Sequence, residues 1–156
     1  MSASQLIERI KDLPQRSFVP DGNSVADRFL DPSTAKFIDF VYASGDLRMA
    51  EELEWPMVYR LRPDVFVVYL PIVLLKMVRH PHSTFTASMV SSLRDTFCVL
   101  PDKRKEFLSY VSDPEVQLLL EVVLFIKSRR PSWRSVTRRR LTELCKSLLC
   151  LRDELA

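Results

Sequence analysis

Apolar positions recur along this chain at the period of an α-helix, in one segment after another. The clearest is Val65-Phe66-Val67-Val68-Tyr69-Leu70-Pro71-Ile72-Val73-Leu74-Leu75-Lys76-Met77-Val78. Phe66, Tyr69, Leu70, Val73, Leu74 and Met77 fall at i, i+3, i+4, i+7, i+8 and i+11, and aliphatic residues fill the other sides. A helix apolar nearly all round belongs in the interior, so this pattern predicts a central core helix opened by Pro63. Pro71 has no N–H to bond the Val67 carbonyl and its ring crowds the preceding turn, which predicts a kink or a division there.

The flanking segments read the same way. Ser2 with Gln5 three residues on forms a capping-box pattern, and Leu6, Ile7 and Ile10 continue it as a short amphipathic helix to about Leu13. Residues 14–23 hold two prolines and Gly22 without a period, which predicts a loop. Asp31-Pro32 opens a helix carrying Phe37, Phe40 and Val41 that closes at Gly45, and a solvated helix with Glu51, Glu52 and Glu54 ends near Trp55, ahead of Pro56. Beyond the central helix, Ser83 or Thr84 caps a segment with Phe85, Met89, Val90 and Leu93, and Pro101-Asp102 opens another with Phe107, Leu108 and Val111. Ser112 and Glu115 box Pro114 ahead of a stripe of Val116, Leu119, Leu120, Val123, Leu124 and Ile126 that Pro131 stops. Residues 135–155 form the last helix, with Leu141, Leu144, Cys145, Leu148 and Leu151 inward. The sum is an all-α, single-domain bundle over residues 1–156, with six to eight helices around a central proline-kinked helix.

Composition supports that class. Two glycines against ten prolines leave few positions where the backbone takes positive φ cheaply, and hairpins and phosphate loops depend on such positions. Charges interrupt the apolar residues before Leu13, so no secretory h-region is expected. The run from Val65 falls short of the ~18 to 20 residues of a bilayer crossing and contains Lys76. Three cysteines are an odd number, and Cys145 and Cys150 project from different sides of one helix, so reduced, buried thiols are expected. These features together predict a cytoplasmic protein with no membrane partner.

Charge is where the picture changes. The net +3 conceals a C-terminal segment, residues 127–156, with nine basic residues against three acidic ones, so that the remainder carries −3. Arg138-Arg139-Arg140 spans most of a helical turn, with Arg129, Arg130 and Arg134 just upstream, and Glu143 alone cannot neutralise them. Such a helix binds phosphates or an acidic protein surface, the latter through charge-assisted bidentate pairs. The segment lacks an interleaved aromatic platform and a helix-turn-helix glycine, which favours the protein partner and leaves nucleic acid as the alternative. Trp133, between Ser132 and Arg134, serves either as an interface anchor or as a cap on the core. Trp55 reads as core, and Glu51, Glu52 and Glu54 as a solvated face.

The remaining chemistry is sparse. His80 and His82 are the only histidines, and Cys98, Cys145 and Cys150 lack the C-x-x-C spacing that would complete a zinc site with them, so a solvated turn around Pro81 is expected and no metal or other cofactor. Cys98 has no motif linking it to a histidine base, and G-x-S-x-G is absent, so no catalytic residue is assigned.

The segment from Leu61 to Leu75, with Pro63, Phe66 and Tyr69-Leu70-Pro71 followed by aliphatics and with Trp55 ahead of it, resembles an uncharacterised family of small bacterial helical proteins. The resemblance covers residues 55–126 and implies a helical fold with no assigned activity; the N-terminal third and the arginine-rich last helix depart from it. A small, glycine-poor helical chain with one charged face is also similar in class to bacterial immunity proteins, which block a cognate toxin at its active site. That likeness implies a non-catalytic inhibitor whose basic residues Arg129, Arg130, Arg134, Arg138, Arg139 and Arg140, with Trp133, meet a toxin or effector with an acidic surface. The competing expectation is a nucleic-acid-binding regulator using the same helix.

Overall fold

The computed structural model describes residues 1–14 and 63–156, apart from the side chains at 64, 65 and 68. These residues form six helices and no strand: α1 Ala3–Lys11, α2 Pro63–Arg79, α3 Thr84–Cys98, α4 Pro101–Tyr110, α5 Asp113–Ser128 and α6 Ser135–Leu155. The fold is therefore all-α. Residues 15–23 of the expected loop, the helix expected over 31–45, and the segment with Glu51, Glu52, Glu54 and Trp55 lie outside the described residues.

Local sequence explains where the helices begin. At α1 the Gln5 amide donates to Ser2 Oγ at 3.2 Å while the Ser2 amide donates to Gln5 Oε1 at 2.9 Å, satisfying two otherwise orphaned donors. Ser83 caps α3 by accepting from the Thr86 amide at 3.2 Å. Before α5 the Ser112 amide and hydroxyl donate to Glu115 Oε2 at 2.7 and 2.9 Å, so the carboxylate of this buried glutamate is hydrogen-bonded.

Packing makes α2 the centre. It contacts α1, α3, α4 and α5, and its side chains from Phe66 through Val78, where described, are all buried. Burying each such aliphatic side chain contributes about 1.5 to 3 kcal/mol. Of the kink or division expected at Pro71, the division does not occur: α2 continues past Pro71 as one helix, and Pro71 is itself buried among neighbours that hold the helix together past a missing hydrogen bond. The one cation in its interior, Lys76, is buried with Nζ 4.7 Å above the Phe85 ring. Phe107 of α4 meets Phe66 of α2 at 6.0 Å and Phe97 of α3 edge-on at 5.4 Å, tying three helices at one point.

Two expected core positions are corrected. Leu124 is 38% exposed, because it lies on the otherwise polar line of α5 with Gln117, Glu121 and Ser128. Of the three free thiols only Cys145 is buried; Cys150 lies on the polar line of α6 with Arg139, Glu143 and Lys146, and Cys98 ends α3 in the open. No described helix is long and apolar enough to cross a membrane.

Candidate partner-binding site

Three contacts fix how the last helix lies on the fold. Trp133 Nε1 donates to the His82 carbonyl at 3.3 Å, Arg94 Nε donates to Glu143 Oε2 at 2.7 Å, and Ser147 Oγ donates to the Phe97 carbonyl at 3.3 Å. The partners are separated by 51, 49 and 50 residues. A constant offset means that α6 runs alongside α3 in the same direction. Because α5 also packs on α6 and reaches it through only residues 129–134, those two helices are antiparallel.

One end of the molecule therefore collects the C-termini of α2 and α5 and the N-termini of α3 and α6. Among the described residues, those nearest this end, 75–88 and 124–138, contain no Asp or Glu. Arg129, Arg130, Arg134 and Arg138 are exposed, and among the described residues none of them has a carboxylate partner. Neither α3 nor α6 has an acidic residue in its first turn, and α6 begins at Arg134 with no side-chain cap. Two helix N-termini and two C-termini meet here, so their dipoles largely offset and the positive character of this end comes from its side chains.

The expected arginine cluster is divided by helical geometry. Successive residues turn by about 100°, so Arg138, Arg139 and Arg140 fan across three directions. Arg139 Nε donates to Glu143 Oε1 at 3.1 Å, and that carboxylate is simultaneously held by Arg94. The Arg94 hydrogen bond, with a further contribution from Arg139, holds the Glu143 carboxyl below its ordinary range, and the same bond raises the Arg94 guanidinium. Arg139 is therefore partly neutralised within the chain. Arg140 is half-buried, and Arg138 is exposed. The exposed basic residues at this end are Arg129, Arg130, Arg134 and Arg138, together with Lys127 in the last turn of α5.

Of the two roles considered for Trp133, the structure shows the cap on the core. It is half-buried against the core, and its indole N–H ties residues 129–134 to the turn after α2. That anchor fixes the direction in which the flanking arginines emerge. His80 and His82 are both exposed in this turn, where the His80 carbonyl accepts from Thr86 Oγ1 at 2.7 Å. Among the described residues no three His, Cys, Asp or Glu side chains are grouped as metal ligands would be.

The conformation of Arg130 has no counterpart in the residue pattern. Its φ of 48° is the one positive value at a non-glycine among the described residues. The Arg130 amide donates to the Lys127 carbonyl at 3.2 Å, closing α5 in the way a glycine usually does, while Pro131 has no N–H for the second bond of that motif. The left-handed region costs a residue with a Cβ about 1 to 2 kcal/mol. Arg129 beside it lies over the Phe125 ring, with Cζ 4.6 Å from the centroid, which props its guanidinium at the rim. Exposed apolar side chains, Val136 at 59% and Leu124 at 38%, stand on the same two helices near these cations.

Comparison with protein-family models, with curated proteins and with solved structures returns no match.

Proposed function

We propose that this chain is a non-catalytic protein-binding module whose basic end docks on an acidic protein surface. The observation that carries the reading is the basic end, where Arg129, Arg130, Arg134 and Arg138 are exposed and stand without a carboxylate partner among the described residues. Like charges so gathered repel one another, and an opposing anionic surface relieves that cost. A strained backbone at Arg130, where glycine would be cheaper, fits a position kept for its side chain. Arginine and a half-buried tryptophan, with exposed Val136 and Leu124 nearby, match the composition of a protein interface more closely than that of a phosphate track.

Within that class, an immunity-type inhibitor is the form that needs no catalytic group of its own: it acts by covering the surface of a toxin or effector. Three free cysteines, two of them exposed, suit the reducing cytoplasm in which such an inhibitor works.

The test is a binding assay of the intact chain against polyglutamate, as a stand-in for an acidic protein surface, beside mixed-sequence duplex DNA and RNA at physiological salt. The expected result is polyglutamate binding that Arg134→Glu with Arg138→Glu removes. Nucleic-acid binding tighter than about 1 μM, with no polyglutamate binding, would replace this reading by its rival.

A further inference from the structure

The connector between α5 and α6 holds a hydroxyl that the proposed interface does not use. Ser132 is exposed, and it follows Arg129 and Arg130 by three and two residues in the order Arg-Arg-Pro-Ser-Trp. It lies in a segment, residues 130–134, that is neither helix nor strand. Among the described residues Ser132, Trp133 and Arg134 donate no backbone hydrogen bond, and Arg134 has φ −57° and ψ 151°. Pro131 is buried and Trp133 half-buried, so the serine between them is turned to solvent. The neighbouring hydroxyls are placed differently: Ser128 Oγ donates to the Phe125 carbonyl at 2.6 Å, and Ser135 and Thr137 lie inside α6.

We propose that Ser132 is a phosphoacceptor for an arginine-directed serine kinase, and that the added phosphate switches off the basic end. An acidic kinase cleft pairs with two guanidinium groups at a fixed distance before the acceptor, and a connector whose N–H groups make no backbone bond is open to it. In the transfer, Ser132 Oγ forms a bond to the γ-phosphorus of a nucleoside triphosphate. The bond from that phosphorus to the bridging oxygen breaks, a nucleoside diphosphate leaves, and the hydroxyl proton passes to the base of the kinase. The product brings about two negative charges to within three residues of Arg129, Arg130 and Arg134. These arginines then have an internal partner, and the surface offered to an acidic protein loses its excess charge. The phosphoacceptor assignment stands on the connector alone, while the switch rests on the reading of the basic end given above.

The test treats the intact chain with a purified arginine-directed serine kinase and ATP, maps the product by tandem mass spectrometry, and measures polyglutamate binding before and after. One phosphoryl group on Ser132, absent in Ser132→Ala and retained in Ser135→Ala, with binding weakened by about tenfold or more, is the expected result. If a peptide of residues 126–138 accepts phosphate and the intact chain does not, or if the phosphate falls on another residue, the assignment is overturned. If Ser132 is modified and polyglutamate binding is unchanged, the switch is overturned. If polyglutamate binds neither form, the reading of the basic end fails with the switch, whereas the modification of Ser132 still supports the acceptor site.

Discussion

Arg130 separates what stabilises this fold from what the basic end presents. In the left-handed region a side chain costs about 1 to 2 kcal/mol, while glycine loses about 0.5 to 1 kcal/mol more backbone freedom on folding. The difference leaves Arg130→Gly more stable by about 0.5 kcal/mol, to be read by urea denaturation. The same variant should bind polyglutamate more weakly, since a cation with no carboxylate partner among the described residues is removed. A fall in stability of more than about 1 kcal/mol would show instead that the arginine side chain closes α5 structurally. None of this was legible in the sequence, because φ at a helix end follows from how the connector must return to meet α6. Pro131 was read only as the residue that stops α5, although it also removes the second N–H of the usual helix-ending pattern.

Helix by helix, the sequence was informative wherever the cause is local. The boundaries of α5 and α6 follow from Ser112, Glu115 and Pro131, and the buried line Leu141, Leu144, Cys145, Leu148 and Leu151 follows from period alone. Leu124 and Cys150 were misassigned for one reason: each stands on the line of its helix that otherwise carries polar residues, a signal present in the spacing but outweighed by their own apolar character. Leu74 of α2 is fully buried, so Leu74→Ala should cost about 2 to 5 kcal/mol, measured by denaturant unfolding, through lost transfer energy and an unfilled cavity. The tie between α3 and α6 was invisible to sequence, since Arg94 and Glu143 are 49 residues apart. Glu143 has a carboxyl lowered in the folded chain, so its contribution is present above the ordinary carboxylate range and is lost as pH falls through that range into the folded one. Acid unfolding followed by circular dichroism should therefore be shallower in Glu143→Gln than in the unaltered chain, and superimposable curves would remove this pair from the acid response.

Over the whole molecule, the docking proposed for the basic end predicts that its arginines act on the rate of encounter more than on the lifetime of a complex. Charges at an exposed rim steer association, and their reach is set by a screening length of about 8 Å at physiological salt. Arg134→Glu with Arg138→Glu reverses charge where residues 75–88 and 124–138 supply no carboxylate to share it. Arg104→Glu removes a cation elsewhere, on α4, where Arg104 Nη2 already lies 3.7 Å from Glu154 Oε2. In stopped-flow binding of an acidic protein partner at low salt, the double reversal should slow association by about tenfold or more and leave dissociation within about twofold. Arg104→Glu should change neither. Raising the salt to about 1 M, where screening acts within about 3 Å, should bring the association rates of the three proteins together. If the reversal instead acts on dissociation and survives high salt, the arginines are desolvated at the centre of the interface, and Trp133 with Val136 would then lie at its rim.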